Sequence, residues 1–217
     1  MTCVLIIDDH PIVLQGCRRV LEDAGVRQVL DAPDLVSGYR LYRRHAPDVV
    51  IIDLALQGSG LAGLPLIQRI KSRDPGARIL VFSMHADPII VARALRAGAT
   101  GYVLKDTSSE ELVEAYEKVR AGTPYLSNDL AVQVALVQTG ARRDPLAELT
   151  PRELRTLNLL AEGKSYGRIA DELNVSYKTV VNTCSQLKEK LDAKSLPELI
   201  RAAVQHLAAP PQARAAD

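Results

Sequence analysis

The 217-residue chain has no apolar run approaching the roughly 18 residues that a membrane-spanning helix needs. No transmembrane segment is therefore expected. The start is equally unlike a signal peptide. Met1-Thr2-Cys3-Val4 carries no basic segment, and Asp8-Asp9 cuts the first apolar stretch short. Cysteine is scarce. Cys3, Cys17 and Cys184 lie too far apart for a disulfide framework and suit a reducing compartment. Cys3 and Cys17 are read as small buried hydrophobes. The four histidines are scattered, which argues against a zinc cluster. Charge of one sign is also missing. Residues 1–121 carry 15 basic and 15 acidic residues, and residues 149–207 carry 9 and 7. Net charge alone thus gives no argument for a nucleic-acid partner. Hydrophobic residues make up 47% of the chain, enough for a packed core without covalent staples.

The first 120 residues alternate between two patterns. Short β-branched runs occur at Val4–Ile7, Gln28–Asp31, Val49–Ile52, Ile79–Phe82 and Thr100–Leu104. Helical patterns follow near Pro11–Ala24, Leu35–His45, Leu64–Arg73, Pro88–Ala97 and Ser109–Ala121. Continuous apolar strands separated by amphipathic helices predict an α/β doubly wound, five-stranded parallel sheet, flavodoxin-like, with strand order 2-1-3-4-5. The predicted organisation is a first domain over 1–121 and a linker over 122–148 with a helix at Asn128–Gln138. A small all-α four-helix domain follows over 149–207, then a disordered tail over 208–217. In the linker, residues 139–145 read as flexible. Thr150-Pro151-Arg152-Glu153 is a capping box with proline at the first helical position. Helices are expected to Ala161–Gly163, from Ser165 to Leu173, from Ser176 to about Leu191, and from Pro197 to Leu207.

Asp8 and Asp9 directly follow the first strand, Asp53 ends the third, Ser83 the fourth and Lys105 the fifth. In the predicted sheet all of them reach one edge, the carboxyl ends of the strands. Taken singly, each has a plain structural reading: Asp9 or Asp53 as a cap, Lys105 as a solvated cation. Taken together they form a chemical site. Clustered carboxylates repel one another unless a hard divalent cation lies between them, and Mg²⁺ takes oxygen ligands while leaving room for a phosphate oxygen. A lysine and a hydroxyl at the same edge would bind the other phosphoryl oxygens.

These residues and their surroundings resemble a receiver domain of two-component signalling. The matching stretches are Val4-Leu5-Ile6-Ile7-Asp8-Asp9-His10-Pro11, Val49-Val50-Ile51-Ile52-Asp53-Leu54, Val81-Phe82-Ser83 and Gly98-Ala99-Thr100-Gly101-Tyr102-Val103-Leu104-Lys105. The resemblance implies that Asp53 accepts phosphate from a sensor histidine kinase. It implies Mg²⁺ held by Asp8 or Asp9, Asp53 and the backbone carbonyl of Ala55, with Ser83 and Lys105 on the phosphoryl group and Tyr102 as the switch aromatic. One stretch departs from the family. Leu56-Gln57 replaces the usual Met-Pro pair, and the glycine-rich run from Gln57 to Gly63 is about two residues longer than usual, so a mobile loop is expected.

A short helix, a tight turn and a longer helix over Ser165–Ser185 form a helix-turn-helix pattern, with Ile169, Ala170, Leu173, Val175 and Val180 spaced to pack the pair. Periodicity alone leaves a generic helical bundle equally open. Leu149-Thr150-Pro151-Arg152-Glu153-Leu154, Ile169-Ala170-Asp171-Glu172-Leu173-Asn174-Val175-Ser176 and Lys178-Thr179-Val180 are similar to the LuxR-type DNA-binding domain. Nearly the whole chain therefore resembles the NarL/FixJ family of response regulators. That implies a cytoplasmic transcription factor that binds double-stranded DNA and forms a homodimer on phosphorylation, with Leu196, Leu199, Ile200 and Ala203 as candidates for the contact face of the last helix. Candidate DNA contacts are Lys178, Thr179, Asn182, Lys188 and Lys190, with Lys194, Lys164 and Arg168 as further cations.

The recognition helix departs from the family too. Val181 and Thr183 stand where it usually has a lysine and a histidine. This keeps a second reading open, a phospho-dependent signalling adaptor whose helical domain binds protein rather than DNA. No second base or substrate pocket is evident, so the chain is not expected to be an enzyme beyond losing its own phosphoryl group.

Overall fold

A computed structural model describes residues 2–56, 61–139, 146 and 149–207. Residues 57–60 of the predicted glycine-rich run, residues 140–145 and 147–148 of the linker, and the tail after 207 fall outside the described residues. Two compact units divide the chain.

The first unit is a five-stranded parallel sheet of β1 (Cys3–Ile7), β2 (Gln28–Ala32), β3 (Val49–Ile52), β4 (Ile79–Ser83) and β5 (Gly101–Leu104), in the order 2-1-3-4-5. The intervening helices are α1 (Pro11–Asp23), α2 (Leu35–His45), α3 (Gly63–Arg73), α4 (Pro88–Ala97) and α5 (Ser109–Arg120), followed by α6 (Asn128–Gln138). β1, β3 and β4 are buried at every position, because helices cover both faces of a parallel sheet and leave no strand face to water. Tyr116, Leu21 and Val119 pack with strand residues such as Val4, Ile51 and Leu80 on one face.

Local chemistry sets the ends of the helices. Asp34 accepts hydrogen bonds from the Val36 and Ser37 amides at the start of α2. Asp87 caps α4 with Pro88 following, and Gly98, at φ 109°, ends that helix in the left-handed region. Beyond α5 the chain runs beside β5, where the Tyr102 amide donates to the Tyr125 carbonyl oxygen. α6 then packs on α4 through Leu130, Val134 and Val137.

The second unit holds α7 (Pro151–Ala161), α8 (Tyr166–Leu173), α9 (Tyr177–Lys190) and α10 (Leu196–Leu207). The capping box is formed as predicted. Thr150 accepts from the Glu153 amide, and the Glu153 carboxylate accepts from the Thr150 amide. Asn174, at φ 52°, makes the turn between α8 and α9, and Ser176 caps α9. Among the described residues no helix is long and apolar enough to cross a membrane.

Candidate functional site

The parallel strands deliver their ends to one edge. The Asp53 amide donates to the Ile7 carbonyl oxygen, and the Lys105 amide donates to that of Ser83. Ser83 is paired with Leu104, so it stands beside the strand that carries Lys105. Asp8 and Asp53 are 2% and 3% exposed, and Ser83 is fully buried. Lys105 Nζ lies 2.7 Å from Asp8 Oδ2 and 2.7 Å from Asp53 Oδ2. Burial works against the charge on Lys105. The negative charge and hydrogen bond of Asp53, then those of Asp8, outweigh it and hold the ammonium above the usual lysine range. The lysine is thus a fixed cation between two buried carboxylates.

Asp9 is more open than Asp8 and does not cap α1. The cap position belongs to His10, which makes no side-chain cap bond. The His10 amide donates to Asp8 Oδ1 at 2.9 Å, and its ring Nδ1 lies 3.2 Å from Asp8 Oδ1 and 3.0 Å from Asp9 Oδ1. Ligand atoms of Asp8, Asp9, His10 and Asp53 all lie within 4.8 Å of one another. A six-coordinate Mg²⁺ with bonds of about 2.0–2.1 Å separates its ligands by a comparable span, so the carboxylate set suits a hard divalent ion. Ala55 turns its amide onto Asp53 Oδ1 at 3.2 Å, which fixes the carboxylate beside the loop.

Ser83 Oγ is buried without a hydrogen-bond partner of ordinary geometry. A buried hydroxyl left unsatisfied is costly, and a phosphoryl oxygen is the acceptor its position suits. Next to it, Tyr102 is fully buried, and its hydroxyl donates to the His85 carbonyl oxygen at 2.7 Å. Burial pushes this phenol well above the ordinary tyrosine range, against the nearby Ser83 hydroxyl, which lowers it. Tyr102 therefore packs into the interior of the first unit in this structure.

Two residues of this edge escaped the sequence reading. His10 is one. Gly63 is the other: a Cβ there would stand 2.6 Å from the Asp53 carbonyl oxygen. In the sequence Gly63 reads only as the end of the glycine-rich run.

In the second unit Ile169, Ala170 and Val180 are buried and join α8 to α9 as predicted, while Leu173 and Val175 are half-buried. Of the candidate DNA contacts, Lys178 and Asn182 are exposed on α9, and Lys188 is half-exposed. Thr179 shares a 2.8 Å hydrogen bond with Ser176 in the helix cap. Lys190 pairs with Glu153 at 2.9 Å, tying the end of α9 to the cap of α7. Lys164 bridges Glu162 and Glu172, whereas Arg168 and Lys194 are exposed. Tyr177, 59% exposed at the start of α9 and in ring contact with Tyr166, was not singled out from the sequence.

One expectation is corrected. Leu199 and Ala203 are fully buried inside the domain, where α10 packs on α7, so they cannot belong to an outward contact face. Of residues 196–204, Pro197, Arg201 and Val204 are exposed, with Leu196 and Ile200 half-buried.

Residues 4–117 match the response regulator receiver domain family, and residues 147–203 match the luxR family of bacterial regulatory proteins. The chain is 38% identical over 197 residues to the methanol utilization control regulatory protein MoxX of Paracoccus denitrificans, covering 91% of this chain and 88% of that one. It is 32% identical over 209 residues to the response regulator UvrY of Escherichia coli K12, covering 95% of each. Among solved structures it is similar to RcsB from Salmonella enterica serovar Typhimurium bound to promoter rprA with the phosphomimetic BeF₃⁻. That match has 29% identity, covers 92% of this chain and 96% of the other, and gives a TM-score of 0.68.

Proposed function

Because this chain belongs to the response regulators that join a receiver domain to a LuxR-type DNA-binding domain, we propose that a sensor histidine kinase phosphorylates Asp53 and that the phosphorylated chain controls transcription by binding DNA as a homodimer in the cytoplasm. The observation that carries this reading is the pairing of Lys105 with both Asp8 and Asp53 beside the unsatisfied Ser83 hydroxyl. Asp53 offers the nucleophilic carboxylate. Mg²⁺, held by Asp8 or Asp9, Asp53 and the Ala55 carbonyl, would neutralise charge on the incoming phosphoryl group. Lys105 would turn from the bare carboxylates to a phosphoryl oxygen, and Ser83 would donate to another.

Tyr102 ties this chemistry to the segment leading into α4 through the His85 carbonyl. A Ser83 drawn toward phosphate changes the packing around Tyr102 and so the α4–β5–α5 face, which is the kind of local change that biases a two-state surface. In the second unit, Lys178, Asn182 and Lys188 on α9 would meet DNA in the major groove, with Arg168 and Lys194 adding phosphate contacts. Thr179 and Lys190 would act chiefly by fixing that helix. Catalysis is limited to the transfer onto Asp53 and its hydrolysis.

The test is acetyl phosphate labelling with Mg²⁺, followed by a gel shift at several salt concentrations. The wild type should take up about one phosphate per chain and gain salt-sensitive DNA binding. Asp53→Asn should do neither. Stoichiometric labelling of Asp53→Asn, or no DNA binding by the labelled wild type, refutes the proposal.

A further inference from the structure

A cavity in the first unit lies away from the acidic edge, between α2 and α3, with a volume of about 620 Å³. Its α2 side uses positions 35, 36, 39, 40, 43 and 44, and its α3 side uses 62, 65, 66 and 69. Each set is a single stripe along about two helical turns, or roughly 11 Å. Both helices return between parallel strands and so run in the same direction, with their first turns toward the acidic edge.

That shared direction polarises the groove. Leu35, Val36, Ala62, Pro65 and Leu66 line the end formed by the first turns. Arg40, Arg43, Arg44 and Arg69 line the other end. None of these four arginines makes an ion pair among the described residues. Arg69 stacks on the Tyr39 ring at 4.0 Å, which holds a planar fork of donors at the junction of the two ends. Val36 is 71% exposed, so the apolar end is open to solvent. A guanidinium fork matches a carboxylate or a phosphate bidentately.

We propose that this groove binds a small amphiphilic anion, a carboxylate or phosphate carried on an apolar body about 11 Å long. Four clustered cations call for an anion, even with the Asp34 carboxylate near Arg40, and the apolar end calls for a body that leaves water. The volume falls in the range of small-molecule sites, roughly 300–1,000 Å³. Two turns of two helices offer far less area than the roughly 800 Å² per partner of a stable protein interface.

The probes are 1-naphthyl phosphate, 1-naphthoate and neutral 1-naphthol, titrated calorimetrically into the full chain without Mg²⁺. Both anions should bind at one site per chain, and 1-naphthol at least tenfold more weakly. Inorganic phosphate should also bind at least tenfold more weakly than the naphthyl ester. Arg43→Ala combined with Arg69→Ala should weaken both anions tenfold or more. Val36→Asp, at an open surface position, should do the same without a change in melting temperature. Equal binding of 1-naphthol, indifference to these variants, or no anion binding at millimolar concentration overturns the proposal. Binding of an acidic helical peptide with none of the naphthyl anions also overturns it, in favour of a protein partner.

Discussion

Gly63 leaves no room for a side chain against Asp53. A Cβ at this position would meet the Asp53 carbonyl oxygen at 2.6 Å and the Leu54 Cα at 3.0 Å, both of them backbone atoms. The Gly63 amide already donates to the Leu54 carbonyl oxygen, so the start of α3 is locked onto the segment that carries Asp53. Gly63→Ala should therefore destabilise the first unit by about 1–3 kcal/mol and slow acetyl phosphate labelling of Asp53. Gly16 is the control. It lies within α1, where an added methyl group would meet nothing within 4 Å, so Gly16→Ala should stabilise by up to about 1 kcal/mol and leave labelling unchanged. Urea unfolding and labelling rates of the two variants check both statements, and normal labelling by a stable Gly63→Ala would refute the first.

Lys105 makes a second prediction possible. Asp8 and Asp53 are nearly fully buried and share its ammonium. Removing one partner of a buried ion pair leaves uncompensated charge and costs about 3–5 kcal/mol. Lys105→Met should lose stability on that scale in EDTA. Millimolar Mg²⁺ should restore part of it, because a divalent ion supplies the missing charge. The gain from Mg²⁺ should be larger in Lys105→Met than in the wild type. Equal gains in urea unfolding would show that the lysine does not share the carboxylates with the ion.

The acidic edge was legible because strand ends leave little freedom. Once Val4–Ile7, Val49–Ile52 and the fourth and fifth runs are parallel neighbours, Asp8, Asp53, Ser83 and Lys105 must meet. The strand order and most helix bounds followed from the same alternation. His10 was not legible, because the turn after β1 and not its periodicity directs its ring toward Asp8 and Asp9. Gly63 reads as part of a mobile loop, and its close approach to the Asp53 backbone depends on how α3 starts, which periodicity does not give. On α10 the stripe Leu196, Leu199, Ile200 and Ala203 was assigned to a partner, yet an amphipathic helix in a small domain uses its apolar stripe first for its own core. The burial of Leu199 and Ala203 follows from that.

Acid should loosen the second unit through Glu153. Burial raises the pKa of this carboxyl, but the Lys190 ammonium and the Thr150 amide and hydroxyl more than offset it, and the net shift is below the ordinary value of 4.5. A carboxylate with a depressed folded pKa adds stability above its unfolded pKa. That stability is lost as pH falls through the folded value. The melting temperature of the second unit should thus drop below about pH 4.5 more steeply than in Glu153→Gln. At neutral pH Glu153→Gln should cost about 1 kcal/mol through the weakened capping box. Lys190→Met should raise the Glu153 pKa and move the acid transition upward. An acid transition that is the same in all three proteins would remove Glu153 from the account.

The two departures in the recognition helix have different consequences. Val180, Thr183, Cys184 and Leu187 form the buried stripe of α9, and Thr183 donates to the Thr179 carbonyl oxygen within it. Thr183 is 9% exposed, so a histidine at that position has no outward place in this packing. Thr183→His should overpack the core, cost about 1–3 kcal/mol and add no DNA affinity. Val181 is half-exposed, one residue from the exposed Asn182. A lysine there can reach a phosphate, release a counterion and steepen the slope of log affinity against log salt by about 0.9. Val181→Lys should therefore tighten DNA binding most at low salt, with little change in stability. Gel shifts of the phosphorylated protein across a salt series decide the matter. If Val181→Lys leaves the slope unchanged, position 181 does not face the DNA backbone, and the orientation assigned to α9 on DNA is wrong.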